Sequence, residues 1–208
     1  RSSWVTGVQT CALPIWSKHL AALKEQRKNA YLTLPPSVAL TEDLAKAVDW
    51  ADVCVISISS QELRSFGRQL AALPLAGKIF LLCMKGLEIG TGKRLSTVLR
   101  EEVGEAPGIA VWVGPGHVQD FIAGIPNCMI IVSEDDALTH HLAEAFASSL
   151  IRFYYGADLL GTEIGAAAKN VVGLAAGMLD GFHYGSLKGA LMARGTRELS
   201  RQIGRAHV

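Results

Sequence analysis

Apolar positions follow two rhythms along this chain. Short, mainly apolar runs occur at Val53 to Ile58, Lys78 to Met84, Ile109 to Val113, Cys128 to Val132 and Ile151 to Tyr155. Their length, β-branched content and flanking turn residues predict buried strands. Between them, apolar residues recur at helical spacing. Gln61 to Leu73 puts Leu63, Phe66, Leu70 and Leu73 on one stripe, closed by Pro74 and Gly77. Leu95 to Val103 and Asp135 to Leu150 read as further helices. Ser17 to Asn29 is polar and helical, broken by Thr33-Leu34-Pro35-Pro36. Leu44 to Trp50 forms a short helix with Thr41 as its N-cap.

Strands alternating with helices imply parallel βαβ units, with the sheet covered on both faces. The chain is therefore α/β. From Thr162 to Arg201 the pattern changes to helix, loop, helix, with no strand-like run. A domain boundary near Gly161 separates residues 16–161 from a helical part at 162–202.

Composition narrows the function classes. Half of the 208 residues are apolar and 19% are charged, which excludes intrinsic disorder. A net charge of +1 gives no basic stripe for nucleic acid. The Cys residues form no CxxC pair, so neither a zinc ribbon nor a disulfide framework is implied and a reducing compartment is the default. The apolar run Val171 to Leu179 is too short to span a bilayer.

The ends read differently from the middle. Val5 to Ile15 resembles a translated sequencing adapter, and Ile203 to Val208 resembles its complementary end. Residues 1–15 and 203–208 are expected to be construction scars, and the native stretch is expected to be cut at both ends.

In a wound sheet, ligands bind outside the carboxyl ends of the strands. Lys85-Gly86 and Gly114-Pro115-Gly116-His117 both follow strands. A lysine there can meet a phosphate or carbonyl oxygen, and glycines admit close backbone approach. Each also has a plainer reading, as a solvated lysine and a turn. Lys169 is an anomaly within the small-residue segment Gly165 to Gly181, most of which is expected to be buried. It either reaches solvent or serves a buried polar site. Asp180 cannot pair with it, being about 16 Å further along one helix; it belongs near the helix end.

Other patterns fail. Gly86 to Arg94 lacks the first glycine and the final Ser/Thr of a phosphate loop, and no GxGxxG occurs. Gly185-Ser186-Leu187-Lys188-Gly189 has serine one position too early for a nucleophile elbow. His140 and His141 point in different directions on a helix, so no metal site is assigned.

Several segments in order resemble the bacterial NAD(P)-dependent glycerol-3-phosphate dehydrogenase family. They are Met84-Lys85-Gly86-Leu87-Glu88 with Thr91-Gly92, Val113 to His117, Ala123-Gly124-Ile125-Pro126, Ala168-Lys169-Asn170-Val171, and Ala176 to Gly181. Asn29-Ala30-Tyr31-Leu32, Leu191 to Gly195 and Glu198 extend the resemblance. It implies an incomplete Rossmann-like domain followed by the start of an all-helical domain. The implied activity is reduction of dihydroxyacetone phosphate to glycerol 3-phosphate with NADPH or NADH, for phospholipid synthesis. It also implies a cytoplasmic enzyme without membrane insertion; the oligomeric state stays open, a homodimer being one option.

By the same resemblance Lys169 is the catalytic lysine. It would stabilise the alkoxide formed from the ketone and donate the proton, and burial would lower its pKa. Lys85 would contact cofactor and substrate, Gly114, Gly116 and Asn170 the substrate, and Val118 the cofactor. Gly116 stands where the family often has Ser or Thr, so a hydroxyl contact is missing. The family's glycine-rich loop and a later Arg-Asn pair are expected outside the native stretch. The 208-residue chain alone is accordingly expected to be inactive or nearly so.

Overall fold

The computed structural model describes residues 17–28 and 33–206. The expected scar at 1–15 and the segment Asn29 to Leu32 lie outside the described residues. The early helices are α1 (Ser17–Gln26) and α2 (Leu44–Trp50). The latter is capped by Asp43, which accepts the Lys46 N–H, and not by Thr41 as expected. Thr41 sits two residues before that cap, accepting the Asp43 N–H, because the helix begins at Leu44.

Strand β1 (Val53–Ile56) leads through a 3-10 turn (Ser60–Glu62) into α3 (Leu63–Ala71). Strand β2 (Ile79–Leu82), α4 (Leu95–Val103) and β3 (Gly108–Val113) follow. A short α5 (Val118–Ile122) precedes β4 (Asn127–Ser133), α6 (Asp136–Phe146) and β5 (Ile151–Tyr155). The chain then turns into the hairpin of α7 (Leu159–Gly181) and α8 (Gly185–Ala206).

The five strands lie in chain order, β1-β2-β3-β4-β5. The sheet is not wholly parallel. β1, β2 and β3 are parallel, and so are β4 and β5, but β3 and β4 run antiparallel with Ala110 opposite Ser133 and Val113 opposite Ile130. The connection explains the reversal. Between β3 and β4 there is only the five-residue α5, bracketed by glycines and prolines. A parallel crossover needs a longer return path, usually a full helix along the sheet.

Strand alternation builds two cores. Phe80, Leu82, Val111 and Val113 face one side, packed by Leu63 and Leu70 of α3, Leu95, Val98 and Leu99 of α4, and Ala166 of α7. Leu81, Ala110, Met129, Ile131 and Phe153 face the other side, against Leu142 and Ala143 of α6. The stripe Leu63, Phe66, Leu70, Leu73 packs as its spacing implies. The first core fixes where β2 and β3 end and where α7 starts, and these three points frame the site.

α7 and α8 behave differently. The small-residue segment expected to be buried exposes an apolar stripe: Val171 and Leu174 are each 71% exposed and Met178 58%. Burial needs an opposing surface as well as apolar character. Beyond the first turns of α7, which touch the sheet, α7 is packed mainly by α8. Asp180 lies at the helix end, where its carboxylate accepts from Lys188 Nζ at 2.6 Å.

Candidate functional site

The carboxyl end of β2 delivers Met84 into the core and then Lys85 outward. Gly86 follows with φ of +129°, a conformation that side chains resist, so the chain can turn sharply there. Residues 87–94 fold back on themselves. Leu87 bridges Arg94, and Glu88 N–H donates to the Lys93 carbonyl at 2.9 Å.

This loop is bolted to the start of α3. Gln61 donates to the Leu87 carbonyl and accepts the Ile89 N–H. Arg64 forks onto both Glu88 oxygens at 2.6 and 2.9 Å and also reaches Glu101 and Glu102 of α4. The guanidinium, helped by the Thr91 hydroxyl, holds the Glu88 carboxyl down at about 2. Glu88 therefore stays ionised, and the base of the Lys85 loop is fixed.

Lys85 Nζ donates to the Gly114 carbonyl at 3.1 Å, which joins the ends of β2 and β3. Gly114 must be bare: a Cβ there would fall 2.6 Å from Met129 Cγ. At Gly116 a Cβ would fall 2.1 Å from Met129 Cε and 2.9 Å from the Phe121 ring. Met129 thus fills the space a Ser or Thr side chain would need at 116, which accounts physically for glycine there. The Met129 sulfur is itself held by the Trp112 indole N–H.

Lys169, on α7, comes down beside Lys85. The Lys85 ammonium is held below the ordinary lysine range first by desolvation, then by the charge of Lys169 and by direct contact between the two amines. Lys169 is exposed, contrary to the expected burial, because α7 has left the sheet by this turn. Desolvation acts on Lys85 instead. Among the described residues, neither lysine has an ion-pair partner.

The structure therefore gathers Lys85, Gly114 and Lys169 at one point. Gly116 lies two residues along the same loop. Asn170 is exposed next to Lys169, without a hydrogen bond to either lysine. Val118 opens α5 and is 47% exposed. Cys83, just before Met84, has its thiol pushed up to about 12 by burial, which removes it as a nucleophile near neutrality.

Sequence reasoning missed Glu163. Its carboxylate is 5% exposed and sits at the N-terminus of α4. It accepts from Ser96 N–H at 2.9 Å, Ser96 Oγ at 2.6 Å and Arg94 Nη1 at 2.7 Å. An acid just before a run of small residues was as anomalous as Lys169 and carried the same signal.

Two family models match successive stretches of this chain. Residues 5–139 match a family model described as the NAD-dependent glycerol-3-phosphate dehydrogenase N-terminus, and residues 158–207 match the corresponding C-terminus. A Fusobacterium nucleatum protein named NAD(P)+ glycerol-3-phosphate dehydrogenase is 36% identical over 90% of this chain and 59% of its own length. A Clostridium botulinum protein of the same name is 38% identical over 84% of this chain and 52% of its own. The chain thus spans little more than half the length of these relatives. The crystal structure of glycerol-3-phosphate dehydrogenase from Coxiella burnetii superposes with a TM-score of 0.82 at 24% identity, covering 90% of this chain and 59% of that one. At that identity the likeness speaks for the fold.

Proposed function

The chain belongs to the NAD-dependent glycerol-3-phosphate dehydrogenase family, and from that premise we propose that the whole protein reduces dihydroxyacetone phosphate to sn-glycerol 3-phosphate with NADH or NADPH, for phospholipid synthesis. One observation carries the reading: two lysines from separate elements converge where β2 and β3 end, without a carboxylate partner among the described residues.

The substrate is a phosphorylated ketone, so two adjacent cations attract it. Lys85, Gly114, Gly116 and Asn170 line its approach. Addition of hydride to the central carbon moves the carbonyl electron pair onto oxygen. The Lys169 ammonium stabilises that developing charge and donates a proton to the oxygen, leaving the secondary alcohol. Because Lys169 is exposed, solvent returns its proton after each turnover. Lys85, anchored on the Gly114 carbonyl, holds position during this transfer.

The residues present suit a nicotinamide cofactor. The ends of three parallel strands meet beside two glycines that keep the backbone bare, and Lys85 offers a cation to a phosphate. Lys85 and Val118 would hold it, and when bound it supplies the hydride. The same reading includes cytoplasmic work and a homodimer. No described helix is long and apolar enough to cross a membrane. The exposed stripe Val171, Leu174 and Met178 supports association with further protein.

The test joins residues 16–202 to the segments of the Fusobacterium nucleatum relative that this chain does not span. The chimera is assayed with NADH and NADPH against dihydroxyacetone phosphate and a panel of other keto compounds. Oxidation dependent on dihydroxyacetone phosphate is expected. Preference for an unphosphorylated keto acid would reject the assignment.

A further inference from the structure

Two like charges do not stay together unaided. Lys85 and Lys169 repel, and an exposed lysine on a free helix would swing away. Lys85 is restrained by Gly114 and by the loop bolted to Arg64. Lys169 has no such bond of its own among the described residues, so the restraint on it comes through α7.

That restraint is visible six residues earlier. Glu163 lies less than two turns before Lys169, about 9 Å along the axis. Its buried carboxylate takes three hydrogen bonds from α4 and its cap: Ser96 N–H, Ser96 Oγ and Arg94 Nη1. Arg94 stands at the N-cap of α4 but makes no side-chain capping bond, so Glu163 serves as a cap delivered from another helix, with its charge at the positive end of α4. Arg94 is also the far end of the loop that begins at Lys85, through its bridge to Leu87. The connections close a ring: Lys85, its loop, Arg94 and Ser96, Glu163, α7, and Lys169 back to Lys85.

We propose that Glu163 is a positioning residue: its grip on Arg94 and Ser96 fixes where α7 meets the sheet and so holds Lys169 against Lys85. Glu163 touches neither lysine and acts only through the helix. The proposal rests on the reading that the two lysines form the reacting site, and it adds what holds them there. Ala166, the next residue of α7 to be buried, packs in the same core and completes the seat of the helix.

The test needs neither cofactor nor substrate, so it can fail independently of the reaction assignment. The lysines of the 208-residue chain are reductively methylated with carbon-13, and Lys85 and Lys169 are assigned through Lys85→Arg and Lys169→Arg variants. Titration by NMR then compares the parent with Glu163→Gln and with Arg94→Met, each checked for a dispersed amide spectrum. Lys169→Gln sets the scale, since it removes the repelling charge outright.

Release of the clamp should let Lys169 retreat. The Lys85 midpoint should then move up toward ordinary lysine, by about half a pH unit or more and by no more than in Lys169→Gln. If Glu163→Gln does not fold, a smaller rise in the same direction is expected in Arg94→Met, which removes one of the three bonds that seat the helix and keeps the two from Ser96. An unchanged Lys85 midpoint in a folded clamp variant, with Lys169→Gln shifting it, would overturn the proposal.

Discussion

Single side chains in this protein are set by what surrounds them more than by what they are. Its cysteines illustrate this. Cys54 lies on β1, at the edge of the described sheet, and Cys83 directly follows β2; burial raises both thiols, and the charge of Lys78 partly offsets the rise at Cys54. Cys128 is exposed at the start of β4. With the thiolate as the reactive form, Cys128 should be labelled by a disulfide reagent in the native state well before Cys54 or Cys83, which should react fully only in denaturant. Counting modified peptides against time checks this; early labelling of Cys83 would contradict it. In the sequence the three look alike, because alternation along a strand does not say which face is covered. The same limit applied to Lys169. Its small neighbours implied burial, yet it is exposed and the desolvated amine is Lys85.

Elements were more legible than their directions. The strands, the amphipathic α3 and the helical hairpin followed from periodicity, since the apolar spacing matches the backbone repeat. The antiparallel entry of β4 did not, because the apolar run of a strand is blind to its direction. The signal lay in the connection: Gly114-Pro115-Gly116 and Gly124-Ile125-Pro126 leave room for only a short α5. The loop after β2 was likewise recognised by its residues, but its fastening to Arg64 links positions too distant in sequence for spacing to relate. That fastening has a pH signature. Glu88 titrates lower in the fold than in the unfolded chain, so its contribution is complete above the ordinary glutamate range and disappears as the pH falls toward about 2. Urea midpoints of the parent and of Glu88→Gln should therefore differ near neutrality and converge in acid. A gap that stays constant down to pH 3 would show that the Arg64 fork does not stabilise the loop.

At the scale of the whole molecule, stability and function divide between two parts. The sheet domain supplies most of both cores, joined in the first by Ala166 of α7, whereas the helical hairpin leaves Val171, Leu174 and Met178 open. Phe80, fully buried at the middle of β2, is among the largest side chains in the first core. Phe80→Ala should cost about 3–5 kcal/mol, a large share of the roughly 5–15 kcal/mol typical of a domain, and urea denaturation would read it directly. A loss under 1 kcal/mol would mean that the core is not packed as described. The site straddles the division, with Lys85 and Gly114 on the sheet and Lys169 on the hairpin, so its geometry depends on the seating of α7.

The chemistry assigned to that geometry turns on Lys169. In the chimera that supplies the unspanned segments, Lys169→Ala should lower kcat for dihydroxyacetone phosphate by orders of magnitude, because the developing alkoxide loses its cation and proton donor. If kcat of the folded Lys169→Ala chimera stays within about tenfold of its parent, a change of only roughly 1.4 kcal/mol in the barrier, Lys169 is not the group that meets the reacting oxygen.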